Sequence, residues 1–152
     1  MQEKKGELSD EKLKKLLALG AAAMMLVGSA SLPVSAISAN TTSTGWSFNV
    51  EPTKLSTTTS LRTKVDASYS YVYYKGGTKD YFTCDILNSA GVSQCKKTGP
   101  IKKGERGLIE QYVYEHNYRS CKLKLTSPEG SYGGGTGYWS PDSNVTYRVI
   151  NK

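Results

Sequence analysis

The sequence predicts an all-β fold, an antiparallel β-sandwich or small open barrel of about seven or eight short strands, preceded by a signal-peptide helix. Three observations support this prediction. No segment after Ala39 has the apolar spacing of a long amphipathic helix. Short stretches of alternating apolar and polar residues recur instead, separated by Gly, Pro, Asn and Ser. The chain has 152 residues, which is enough for one domain.

The N-terminal segment is typical of a secretion signal. Three lysines, Lys12, Lys14 and Lys15, precede the apolar run 16–28. This run is shorter than the roughly twenty apolar residues that a membrane span requires. It contains no polar residue at helical spacing, which disfavours a buried helix of the domain. A secretion signal is therefore favoured over an uncleaved membrane anchor.

Two small-residue cleavage sites follow the apolar run. They are Val-Ser-Ala at 34–36 and Ile-Ser-Ala at 37–39. We expect cleavage after the alanine that ends one of these sites. Residues 1–39 are thus predicted to be a removable signal peptide, and residues 40–152 a single domain that is secreted or associated with the cell envelope. We expect no stable transmembrane segment after processing.

A different leader is the alternative. The segment 7–13 resembles the conserved part of the double-glycine leaders that precede bacteriocins. In those leaders two small residues stand at a fixed offset, whereas here Gly20-Ala21 comes two residues late. Ordinary secretion therefore fits the segment better.

The first three strands are predicted from side chains that alternate with period two. In each strand the alternating residues share one face of the sheet. These residues are Trp46, Phe48 and Val50, then Leu61, Thr63 and Val65, and then Tyr69, Tyr71 and Tyr73.

The clearest predicted hairpin joins residues 81–87 to residues 92–97. The four residues between them, Asn-Ser-Ala-Gly, have the chemistry of a tight turn. A two-residue loop in that turn places Cys84 directly opposite Cys95, within disulfide range. We therefore predict a Cys84–Cys95 disulfide, since the oxidising environment outside the cytoplasm permits disulfides in an exported protein. A shifted register or a pairing with Cys121 is the alternative.

The remaining strands are predicted from the same alternation. Residues 107–115 fit a strand or a short helix, and residues 133–135, three glycines, fit a flexible turn. The next predicted strand has the inward residues Cys121, Leu123 and Leu125, and the last predicted strand contains the alternating residues Val145, Tyr147 and Val149.

Two motifs carry a resemblance to a known group of proteins. Glu-His-Asn-Tyr-Arg stands at 115–119, and Gly-Tyr-Trp-Ser-Pro-Asp-Ser at 137–143. With these motifs the chain resembles small secreted Tyr- and Gly-rich proteins of Gram-positive bacteria that have a G-x-W-S-P-D-S motif near the C-terminus. The resemblance implies export and a β-type domain. It implies no activity and no catalytic residue.

The charge of the predicted domain constrains its partners. Residues 40–152 contain 15 Lys and Arg and 9 Asp and Glu, which gives a net charge of +6. A basic exported domain is attracted to an anionic cell-wall polymer, a glycan or a membrane surface. The same charge also serves solubility alone. We expect no nucleic-acid partner, because the sequence has no clustered basic stripe, and the oligomeric state stays open.

The sequence has no pattern typical of a catalytic or metal site. His116 is the only histidine and lies in a predicted turn, and a pairing with Cys121 has no supporting motif. Most Glu residues stand beside basic residues or in turns, as solvated surface groups do. We therefore predict no enzyme, no metal and no cofactor, and a small secreted hydrolase ranks last among the functions considered.

The leading functional hypothesis is a non-enzymatic binding domain. Tyr69, Tyr71 and Tyr73 share one face, and Trp139 completes the predicted contact surface. Tyrosine suits such a surface because it has a large apolar body and a polar tip. The alternative is that these rings cover the core and that Trp139 packs beneath the turn at 140–143. A bacteriocin-like antimicrobial protein is the second functional hypothesis.

Overall fold

The computed structural model of the protein describes residues 39–152, so the predicted signal peptide lies outside the described residues. Within this range the chain forms nine β-strands and no helix, which confirms the predicted all-β class. The strands are Thr44–Val50 (β1), Ser56–Thr58 (β2), Arg62–Thr63 (β3), Ser70–Gly77 (β4), Tyr81–Asn88 (β5), Gly99–Lys102 (β6), Arg106–Ile109 (β7), Ser120–Thr126 (β8) and Gly133–Ser140 (β9).

The strands form two antiparallel sheets, and the sheets do not close into a barrel. The first sheet has the order β1-β9-β4-β7. The second has the order β2-β8-β5-β6, and the two-residue strand β3 also pairs with β8. Of the two predicted architectures, the sandwich is therefore the correct one.

The core lies between the sheets and follows the predicted alternation. In β1, Trp46, Phe48 and Val50 are buried and their neighbours along the strand are exposed. In β8 the inward residues are Cys121, Leu123 and Leu125, as predicted. Aromatic rings fill much of the space. The contacting core rings are Trp46, Phe48, Tyr74 and Phe82, with centroids 5.1–5.8 Å apart. Full burial of each such side chain contributes about 1.5–3 kcal/mol.

The glycine-rich segment before Trp139 is strand β9, so the predicted flexible turn at 133–135 is wrong. The strand lies in the middle of the first sheet, between β1 and β4. A Cβ atom on Gly135 would lie 2.6 Å from the rings of Tyr74 and Phe82. A Cβ atom on Gly137 would lie 1.9 Å from the backbone oxygen of Tyr73. The glycines are therefore present because core rings and a neighbouring strand leave no room for side chains.

The predicted cysteine hairpin is also wrong. Strand β5 forms as expected, but Cys84 lies opposite Gly99 of β6, and its other neighbour in the sheet is Leu125. The segment 92–98 forms no strand, because its chain leaves the sheet after a single bridge between Leu87 and Ser93. The three cysteines of the described residues are free thiols, so the predicted Cys84–Cys95 disulfide is absent from the structure.

The segment around β3 reverses the expected faces. Leu61 is half exposed, whereas Lys64, predicted on the opposite face, is completely buried. In the region 107–115 the predicted strand forms only in its first part, and the alternative, a short helix, does not form. Strand β7 ends at Ile109, and a turn at 113–117 follows, in which the Tyr118 amide donates to the Val113 carbonyl oxygen at 2.9 Å.

The predicted last strand is not a strand. Residues 145–149 run beside β7 with one parallel bridge, between Leu108 and Val149. The Leu108 amide donates to the Arg148 carbonyl oxygen, and the Ile150 amide donates to the Leu108 carbonyl oxygen, each at 2.9 Å. This C-terminal segment covers the outer edge of β7, which protects an otherwise unpaired strand edge.

Candidate functional site

One row of residues crosses the outer surface of the first sheet. Arg106 of β7 lies opposite Tyr73 of β4. On the other side of β4, Tyr73 lies opposite Tyr138 of β9, and Tyr138 in turn lies opposite Gly45 of β1. The rings of Tyr73 and Tyr138 stack, with centroids 6.4 Å apart and planes 17° apart. The Arg106 guanidinium carbon lies 4.7 Å from the centroid of the Tyr73 ring, within cation–π range.

A second tyrosine pair extends this row towards the C-terminal segment. The rings of Tyr71 and Tyr147 have centroids 5.8 Å apart. Burial raises the pKa of Tyr71, with smaller contributions from Tyr147 and Tyr73, although Arg106 opposes the shift. The Tyr71 phenol therefore stays protonated at neutral pH and can donate a hydrogen bond. We name Tyr71, Tyr73, Tyr138, Tyr147 and Arg106 the tyrosine face.

The tyrosine face is open to solvent. Tyr138 is 41% exposed and Tyr147 is 38% exposed, whereas Tyr71 and Tyr73 are half-buried. The row ends at Gly45, which has no side chain to cover the Tyr138 ring. The ring surfaces are therefore accessible to a ligand that lies flat on the sheet.

Two clefts border the tyrosine face. One, of about 200 Å³, is lined by Tyr71 and Tyr147 together with Ser143 and Asn144. The other, of about 330 Å³, lies between Tyr138, Lys75 and their neighbours on β1 and β9. Hydroxyl, amide and ammonium groups thus stand beside the ring faces. A flat apolar surface with hydrogen-bonding groups at its rim is the arrangement that amphipathic ligands require.

The structure brings together two of the four residues predicted for this surface. Tyr71 and Tyr73 lie on the tyrosine face, while Tyr69 is half-buried in the segment before β4. Trp139 is completely buried in the core, so its prediction as a surface contact is wrong. The reason is the alternation of β9, in which Tyr138 points outward and Trp139 inward.

Sequence reasoning missed three members of the tyrosine face. The alternation Gly137-Tyr138-Trp139 carries a signal for Tyr138, because an inward Trp139 requires an outward Tyr138. Arg106 comes from β7, where strand pairing places it opposite Tyr73. Tyr147 comes from the C-terminal segment, and only its tertiary contact places it beside Tyr71.

His116 and the thiols of Cys95 and Cys121 lie outside the tyrosine face and show no sign of a catalytic arrangement in the described residues. His116 Nδ1 lies 2.9 Å from Gln94 Oε1. Burial raises the pKa of the Cys95 and Cys121 thiols to about 12, so both stay protonated at neutral pH. Across residues 39–152, no three His, Cys, Asp or Glu side chains are grouped as a metal site would need. In the same range, no helix has the length and apolarity to cross a bilayer.

Comparison with known proteins identifies a family. Residues 32–143 match the model of the family described as Protein of unknown function (DUF2712). The match includes all nine strands and the turn after β9. No curated protein and no solved structure matches the chain. Because the match extends over most of the sequence, the chain belongs to the DUF2712 family.

Proposed function

We propose that this protein is exported by a Gram-positive bacterium and that its tyrosine face binds an anionic glycan polymer of the cell envelope. The binding is non-enzymatic. The observation that supports this proposal is the exposed row of stacked Tyr73 and Tyr138 with Arg106 over one end. The signal-like sequence of residues 1–39 supports export.

The composition of the tyrosine face favours a glycan. Sugar rings have apolar C–H surfaces and a rim of hydroxyl groups, and tyrosine rings with phenol tips complement both. The neighbouring Ser143 and Asn144 supply further hydrogen-bonding groups. Charge favours an anionic polymer, since Arg106 and the exposed Lys75 lie at this surface and residues 40–152 carry a net charge of +6.

Loss of the stacked rings tests the proposal. We expect the double variant Tyr73→Ala, Tyr138→Ala to bind purified Gram-positive cell walls at least about tenfold more weakly than the wild type, because each lost ring removes about 1 kcal/mol or more. Co-sedimentation with the walls measures binding. Tyr81→Ala is the matched control, since Tyr81 is 37% exposed but belongs to the second sheet. Equal binding by all three proteins would contradict the proposal.

Salt separates ring contact from simple charge attraction. Lys103→Ala removes one exposed charge that does not belong to the tyrosine face, and we expect it to weaken binding far less than Tyr138→Ala. In 1 M salt the Debye length falls to about 3 Å, which screens exposed charges but not ring contacts. If both variants lose binding equally and salt abolishes all binding, charge alone is responsible. Binding to phosphatidylglycerol vesicles in preference to walls would exclude a glycan ligand.

A further inference from the structure

A buried carboxylate stands in the turn that follows β9. Asp142 and Lys64 are both completely buried, and Lys64 Nζ donates to Asp142 Oδ1 at 2.5 Å. The other oxygen, Asp142 Oδ2, accepts from two backbone nitrogens, those of Val65 at 3.2 Å and Asn40 at 2.7 Å. Asn40 is 102 residues away in sequence. This hydrogen bond therefore joins the N-terminal end of the domain to the turn after its last strand.

The Asn40 side chain is also held in place. Its Nδ2 atom donates to the Thr63 carbonyl oxygen at 2.8 Å, and its Oδ1 atom accepts from Arg62 Nη2 at 2.9 Å. Arg62 is itself fixed, because Nη1 donates to the Trp139 carbonyl oxygen at 3.1 Å. Asn40 lies outside any strand, so these polar contacts, rather than sheet pairing, position its backbone nitrogen against Asp142.

We propose that the bond between Ala39 and Asn40 is the processing site and that Asp142 binds the α-ammonium group that cleavage creates. A signal peptidase hydrolyses this bond by adding water across it. The C–N bond breaks, Ala39 retains a carboxylate, and the Asn40 nitrogen becomes an ammonium group. The inference rests on the export in the proposed function, and it does not involve the tyrosine face.

The charges around Asn40 explain why this position suits a new N-terminus. Lys64 bonds to Oδ1 of Asp142, and Arg62 bonds to the Asn40 side chain and the Trp139 carbonyl oxygen. Within residues 39–152, Asp142 Oδ2 accepts hydrogen bonds from two neutral amides. An ammonium group in place of the Asn40 amide gives a charge-assisted bond, which is roughly twice as strong. A chain cut three residues earlier keeps the neutral amide there.

The N-terminus of the exported protein is the first test. The intact mass of the protein recovered from the culture medium should correspond to a chain that begins at Asn40. A chain that begins at Ile37, which is the product of the other predicted site, would overturn the inference.

The second test measures how a free α-amino group at Asn40 changes the thermal stability of the protein. We compare the chain 40–152 with the same chain acetylated on its α-amino group, since acetylation removes the charge and leaves the core unchanged. We expect acetylation to lower the Tm by about 4 °C. The chain 37–152 should melt at the same lower temperature. Equal Tm values for all three proteins would overturn the inference.

A variant and a binding assay complete this test. Asp142→Asn should abolish the difference between the free and acetylated chains. If this variant does not fold, the comparison of the free, acetylated and 37–152 chains still decides the question. Acetylation should leave binding to cell walls unchanged, so a failure of the proposed function and a failure of this inference give different results.

Discussion

At the scale of single residues, the buried ion pair between Lys64 and Asp142 is a contact that the fold cannot lose on one side without a large cost. Neither side chain is exposed, and the lysine also donates to the Ser68 carbonyl oxygen at 2.6 Å. Asp66 lies 3.6 Å from the same ammonium group. Burial opposes ionisation of Asp66, but hydrogen bonds from Ser68 and the charge of Lys64 outweigh it and lower its pKa. Removal of one charge leaves its partner buried and unpaired, which is strongly destabilising.

Asp142→Asn should therefore lower the free energy of unfolding by roughly 3–5 kcal/mol, as measured by urea denaturation of the chain 40–152. The ion pair of Arg148 and Glu105 provides the control, because Arg148 is exposed and Glu105 is only partly buried, so Glu105→Gln should cost less than about 1 kcal/mol. Similar losses for the two variants would show that Lys64 is not held as a buried charge.

At the scale of the elements, strand β9 determines how closely the first sheet and the core rings approach. It pairs with β1 on one side and β4 on the other, and its glycines leave room for Trp46, Tyr74 and Phe82. A methyl group on Gly137 meets the Tyr73 backbone oxygen, which cannot rotate away as a side chain can. Overpacking of this kind shifts the backbone and destabilises the fold.

We expect Gly137→Ala to lower the free energy of unfolding by about 3 kcal/mol, or to prevent folding, because overpacked cores lose about 1–3 kcal/mol even where side chains can adjust. Gly76→Ala is the matched control, since Gly76 lies in β4 with no atom within 4 Å of the added Cβ. Its effect should stay within about 0.5 kcal/mol. Thermal melts of both variants measure the difference, and equal stability would contradict the close approach at β9.

The sequence predicts those strands in which the buried residues alternate with exposed ones along the strand itself. Alternation located β1 and β8 with the correct inward residues, and it located the part of β4 that holds Tyr71 and Tyr73. It failed where contacts with distant residues decide the structure. Strand β9 was not predicted, because its glycines are required by the rings and backbone of other strands and not by a local sequence pattern. The pairing of Cys84 with Gly99 depends on how residues 92–98 leave the sheet, which local spacing does not encode.

At the scale of the whole molecule, the sandwich exposes an aromatic and cationic surface on its first sheet. The C-terminal segment covers β7 at one edge of this sheet and adds Tyr147 beside Tyr71. Two of the five residues of the tyrosine face were therefore unpredictable from the sequence, since only the tertiary structure brings Tyr147 and Arg106 to this surface. Tyr71 and Tyr73 were predictable because they alternate within one strand.

Residue-level mapping of the binding surface tests the central claim most directly. In an NMR titration of the chain 40–152 with purified teichoic acid, we expect the largest chemical-shift changes at Tyr73, Tyr138, Tyr147 and Arg106. Saturation of these shifts at one common affinity would support a single site on the tyrosine face. Shifts concentrated on the lysines of the second sheet, or none at all, would contradict the claim.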